Sequence, residues 1–210
     1  MKPAIVLICF LSAIQPDFAQ STKKSFRQLS CPEKWWAVIH PFVANKARKI
    51  TADVIRVSEE MKKDSLLDGE ADGGQVDAFR HSYWMAALSQ KICWKKAIAL
   101  GKAHEKGDYR KFKKGKLEDE NVLPDSISGA MDLFNDRIGA SIGYLNQDLD
   151  PDNLKKMIRS NIIQGKMKII SKNIEGKFLD CSGNVLAVEL YLNVWNIPKC
   201  LVASDLPRRK

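Results

Sequence analysis

Apolar residues recur every three or four positions along most of this chain, and at every second position only near its end. Ile50, Val54, Val57 and Met61 share one face of a helix predicted over 44–63. Ahead of it, Cys31-Pro-Glu-Lys-Trp-Trp begins the ordered part. Trp35, Val38, Ile39 and Phe42 mark a further helical face, which Pro41 interrupts. Helices are also predicted over 75–92 and 94–105. Pro124-Asp125-Ser126 is a helix start, and Ile127, Met131, Phe134, Ile138 and Ile142 continue that helix to about 146. Asp150-Pro-Asp-Asn opens another, ending near Gly165. The period then changes to two. Residues 166–171 and 177–182 alternate around Asn173-Ile-Glu-Gly176, which reads as a small hairpin, and Trp195 packs a turn at 193–198. No internal repeat is visible. The expected fold class is mainly α: a helical-bundle-like domain over 31–165, then a small C-terminal β-hairpin and packed segment over 166–204.

Composition narrows this picture without changing it. A chain of 210 residues, 45% apolar and with five Trp, can bury one substantial core and is not of disordered type. Its start differs in kind from the rest. Lys2 precedes an apolar run from Ala4 to Ile14, the pattern of a signal peptide and too short to span a bilayer as a helix. Cleavage near Ala19 or Gln20 would remove residues 1–20 and leave a flexible 21–30. The chain is therefore expected to be secreted or periplasmic, with no transmembrane segment once mature. Removing Lys2 and Asp17 leaves the net charge of +9 unaltered, and residues 205–210 form a basic tail. Cys31, Cys93, Cys181 and Cys200 then remain, enough for two disulfides in three connectivities. Cys181 with Cys200 would staple the C-terminal section, and Cys31 with Cys93 is the pair left over. Four buried free thiols are the alternative, and the spacings match no zinc-cysteine site.

The candidate chemistry lies where ionisable residues border the apolar stripes of three successive helices. Asp77, His81 and Trp84 fall at i, i+4 and i+7, with Arg80 at the edge of that face. An Asp one turn before a His can accept its ring N–H and leave the other nitrogen free as ligand or base. His104-Glu105 sets an imidazole beside a carboxylate near the predicted end of the next helix, and Asp108 rules out a two-histidine H-E-x-x-H zinc helix. Asp132, Asn135, Asp136 and Gly139 run beside the third stripe. Each group taken alone is as readily a structural ion pair or a solvated flank. Together they suggest a site between helices, with His81, His104, Glu105 and Asp132 catalytic and Asp77, Arg80, Trp84, Asn135 and Asp136 supporting them. His81, His104 and Asp132 are the expected ligands of a divalent metal such as Zn or Mn.

The order His, His-acid, Asp on successive helices loosely resembles the helical HD phosphohydrolases, with Glu105 where those carry Asp. The Arg80-His81 pair is faintly similar to prokaryotic phospholipase A2, with Ser82 in place of its Asp. A closer likeness joins Asp77-Ala-Phe-Arg-His-Ser-Tyr-Trp84, Ala103-His-Glu105 and Met131-Asp-Leu-Phe-Asn-Asp-Arg-Ile-Gly139. These resemble the motifs D-A-F-R-H-x-x-W, A-H-E and M-D-x-x-N-N-x-x-G of a bacterial family, domain of unknown function 6973, over roughly residues 70–145. Asp136 stands where that family usually shows a second Asn. The resemblance implies where the site is and leaves its chemistry open.

Ten Lys or Arg lie between Lys91 and Lys116, against only Glu105 and Asp108. Such a run suits an anionic substrate or surface, although no sequence-specific nucleic-acid motif accompanies it. His40, before Pro41 and without acidic neighbours, reads as a packed residue. The Gly-rich acidic loop 67–74 lacks the alternating ligands and closing Glu of a calcium loop. Two functions follow: an exported metal-dependent hydrolase of a phosphoester or lipid, or a non-enzymatic secreted or envelope binding protein whose polar cluster is structural.

Overall fold

A computed structural model describes residues 26–115 and 125–206. The expected signal peptide, Lys116 and the last four residues of the basic tail lie outside them. Helix α1 (Cys31–Ile39) starts at a reciprocal cap: Ser30 Oγ accepts from Glu33 N–H, and Glu33 Oε2 accepts from Ser30 N–H at 2.7 Å. Ser30, expected in a flexible segment, is therefore ordered. Pro41 opens α2 (Pro41–Met61) instead of merely ending α1, because the first helical position needs no N–H. His40 sits in the corner between them, its Nδ1 3.0 Å from Trp36 O and its ring against Trp36.

Helices α3 (Gln75–Lys91), α4 (Trp94–Lys113), α5 (Ser126–Leu145) and α6 (Pro151–Ile163) follow. Helix α4 runs two turns beyond the predicted end. Tyr109 and Phe112 pack on Trp195 there, and Arg110, Lys111 and Lys113 suit the negative end of its dipole. Asp125 caps α5 by accepting from the N–H groups of Ile127 and Ser128. Asp150 does the same for α6.

Helix α3 is the central rod, with Val76, Phe79, Met85 and Leu88 on different sides all buried. Helix α5 lies directly along it. A methyl added to Gly139 or Gly143 would collide with the backbone carbonyl of Ser82 or Ala86. The two helix backbones therefore touch, and only glycine at those α5 positions permits it. Two turns upstream on the same helix, Asp132 and Asp136 are thereby held against His81.

The C-terminal section forms a small antiparallel pair, β1 (Lys168–Ile170) with β2 (Leu201–Ala203), Ile169 opposite Val202. The second strand is 201–203 rather than 177–182. The turn at 173–176 does form, closed by a bridge between Lys172 and Phe178. Beyond it the chain is diverted: Ser171 N–H donates to Cys200 O, and a Cys181–Cys200 disulfide holds the returning segment. Cys31 and Cys93 are exposed free thiols, so the expected link between them is not made. No helix among the described residues is long and apolar enough to cross a membrane.

Candidate functional site

His81 lies buried at the meeting of α3 and α5. Its Nδ1 donates to Asp136 Oδ1 at 3.2 Å, while its Nε2 faces Asp132 Oδ1 at 3.5 Å and Asp77 Oδ1 at 3.8 Å. The residue that orients the ring is thus Asp136, not Asp77 as the i, i+4 spacing suggested. Asp77 is already engaged: Oδ2 accepts from Gly73 N–H at 2.7 Å and Oδ1 pairs with Arg80. Asp77 instead joins the candidate ligand set. Asp77, His81 and Asp132 each offer a ligand atom, all within 4.8 Å of one another. Tetrahedral zinc with bonds of about 2.1 Å would hold its ligand atoms roughly 3.4 Å apart. The two separations from Nε2 are close to that.

His104, expected as a ligand, is outside this set. Its ring centroid is 6.3 Å from that of His81, but its Nδ1 donates to Glu33 Oε1 at 3.0 Å and its Nε2 faces Asp108 at 3.8 Å. Gly107 makes this possible, since any side chain there would strike Ser30 and push α1 away. Glu33 did not emerge from the sequence reading. The Ser30-x-x-Glu33 spacing marks it as a capping residue, and that role occupies only Oε2. Asn135 also departs from expectation. It exchanges hydrogen bonds of 2.9 Å with the N–H and C=O of Lys168, pinning β1 to α5 away from His81. Trp84 stands edge-on to both imidazoles, its Nε1–H donating to Thr51 Oγ1 at 2.9 Å.

Glu105 reaches towards the cluster from α4, and Gly129 on α5 leaves room for its carboxyl. Three carboxyl oxygens here are buried without a hydrogen-bond partner among the described residues: Glu105 Oε1, Asp132 Oδ1 and Asp136 Oδ2. Burial pushes Glu105 up to about 9, aided by Asp108, Asp136 and Asp77 and opposed by Arg80. Burial likewise lifts Asp132 well above the usual carboxylate range, with Asp77, Glu105 and Asp136 adding to it and His81 opposing. For His81 burial favours the neutral ring, yet Asp132, Asp136 and Asp77 outweigh it and raise its pKa. Burial acts against charge on His104 too, and the bond to Glu33 together with Asp108 overcomes it. Glu33 is held at about 2, its own burial outweighed by the bonds from His104 and Ser30.

The cluster thus sets four carboxyls, Asp77, Glu105, Asp132 and Asp136, against two cations, Arg80 and His81. Carboxyls outnumber cations here, and protons held on Glu105 and Asp132, or a divalent cation, would offset the surplus.

A cleft of about 360 Å³ borders the cluster at Arg80 and His81. Val54, Ile55, Val76 and Trp84 line its apolar side, and both His81 and His104 border it. Its charged lining is balanced: Lys62 pairs with Glu59 at 2.7 Å and Arg80 with Asp77, while Glu33 lies beside His104. The acidic loop 67–74 turns inward on itself, Asp68 accepting from the N–H groups of Glu70 and Gln75. No curated protein and no solved structure matches the chain. Domain of unknown function DUF6973 matches residues 34–167, a span that holds every residue of the cluster. The chain belongs to the DUF6973 family.

Proposed function

We propose that this chain is an exported metal-dependent hydrolase that cleaves a phosphoester or a lipid at the Asp77–His81–Asp132 cluster. The observation that carries the reading is that cluster itself: three convergent ligand atoms in a buried pocket where carboxyl oxygens are left without a partner among the described residues. Asp77, His81 and Asp132 would hold the ion, which would supply Lewis acidity and a readily deprotonated water. Asp136 fixes the His81 ring through Nδ1, presenting Nε2 to the cluster. Glu105, a carboxyl that keeps its proton at neutral pH, is the acid that protonates a leaving group. Arg80 and Lys62 receive the anionic part of a substrate, and Val54, Ile55 and Trp84 its apolar part.

Export is supported by the charged start and apolar run of residues 2–14, and by the Cys181–Cys200 disulfide, a bond favoured in oxidising compartments. The test is turnover of phosphomonoesters, phosphodiesters and phospholipids with zinc or manganese present. His81→Asn and Asp132→Asn should lose at least about a thousandfold, and Glu105→Gln about a hundredfold while still binding metal. Undiminished turnover by Asp132→Asn, or none by the metal-loaded protein on any of these substrates, would refute the proposal.

A further inference from the structure

The corner where α1 meets α2 carries large apolar side chains with little packed on them. Trp35, Val38, Ile39 and Phe42 stand at i, i+3, i+4 and i+7 and are 63, 59, 66 and 99% exposed. Trp36, on the other side of α1, is buried and donates its Nε1–H to Lys96 O in the first turn of α4. Lys46 of α2 reaches Lys91 O at the end of α3. These two bonds set the α1–α2 and α3–α4 corners side by side at one end of the bundle. Trp94 and Tyr144, rings 6.3 Å apart and both partly exposed, widen the apolar surface of that end.

Its charge is mainly positive, although Gln90 Nε2, donating to Asn146 O and Leu149 O, holds the turn with Asp148 and Asp150 at the same end. Residues 34–52 contain Lys34, Lys46, Arg48 and Lys49 and no acid. Residues 91–104 contain Lys91, Lys95, Lys96 and Lys102, again with no acid. Exposed Trp, Tyr and aliphatic side chains ringed by lysines are the composition of an interfacial membrane-binding surface. A second copy of the chain would fit it poorly, since two such faces would bring their cations together. Residues 21–25 add Lys23 and Lys24, so the chain's own N-terminal segment brings like charge as well.

We infer that this end of the bundle docks on a bilayer of anionic phospholipid. The 35–42 stripe enters the acyl boundary and the lysines meet the headgroups. The inference is independent of the chemistry in the cleft, and its test reads binding, not turnover.

The test is co-sedimentation of the full chain with vesicles of phosphatidylcholine alone or with about one quarter phosphatidylserine. Because residues 4–14 are themselves apolar, the variants decide the outcome. Ile39→Ser with Phe42→Ser should lower partitioning by about tenfold or more. Lys46→Glu with Lys49→Glu should abolish the preference for phosphatidylserine, as should about 0.5 M salt for the unaltered chain. Both variants should retain the circular dichroism of the unaltered chain, which excludes unfolding as the cause. Equal partitioning by all forms would overturn the inference. So would a dimer that Phe42→Ser splits and that ignores vesicles, or crosslinks from residues 1–25 to the stripe without vesicle binding.

Discussion

Two buried charged clusters in this molecule are built on opposite terms. At the start of α5, the Asp125 carboxylate is fully enclosed and every oxygen is used: Oδ1 accepts from the Ile127 and Ser128 N–H groups, Oδ2 from Ser128 Oγ and Lys199 Nζ. Lys199 is equally enclosed, its Nζ 3.9 Å from the centre of the Phe178 ring. One negative charge meets one positive charge. Around His81, where α3 meets the same helix α5, carboxyls outnumber cations and three oxygens are left open. Burial alone therefore does not mark a site. A closed and neutral cluster holds structure, whereas an open and negative one keeps coordination capacity in reserve.

The largest expected effect breaks the closed cluster. Lys199→Met leaves Asp125 buried without its cation and should cost about 3–5 kcal/mol in denaturant unfolding. Asp132→Asn, which relieves surplus negative charge in the open cluster, should cost less than about 1 kcal/mol or stabilise. Equal losses from the two substitutions would mean that the His81 cluster is structural.

The Glu33–His104 pair at the rim is smaller and depends on pH. Glu33 titrates at about 2 in the fold against an ordinary 4.5, so its contribution is present above 4.5 and fades as pH falls towards 2. His104 is raised above 6.5, so its contribution is present below 6.5 and fades as pH rises through the raised value. The destabilisation caused by Glu33→Gln should therefore peak between about pH 4.5 and 6.5. With the His104 side chain 38% exposed, solvent screening holds the peak to about 1 kcal/mol. Urea unfolding at pH 3, 5.5 and 9 would show it, and a penalty constant across that range would contradict the pairing.

Helix positions were legible because they rest on local signals, the 3.6 period and the Asp125 and Asp150 caps, whereas Pro41, which reads as a break, is in fact the first residue of α2. The mainly α fold follows from these. The β pairing was not, because strand partners are chosen by tertiary contact. The turn at Asn173–Gly176 is visible in sequence, whereas the return of 201–203 depends on where Cys200 is carried. The same division runs through the site. His81 and Asp132 could be found because they edge apolar stripes. Which carboxylate faces which nitrogen could not, since that depends on α5 lying against α3 through Gly139 and Gly143. Asn135, one residue from Asp136, points to β1 for the same reason: neighbours on a helix diverge by about 100°.

The central claim is tested most directly by titrating zinc or manganese into chelator-treated protein by calorimetry. One ion should bind per chain in the unaltered protein and in His104→Ala, and none in His81→Asn or Asp132→Asn. Absence of binding in the unaltered chain, or an ion lost with His104 but retained without Asp132, would contradict it.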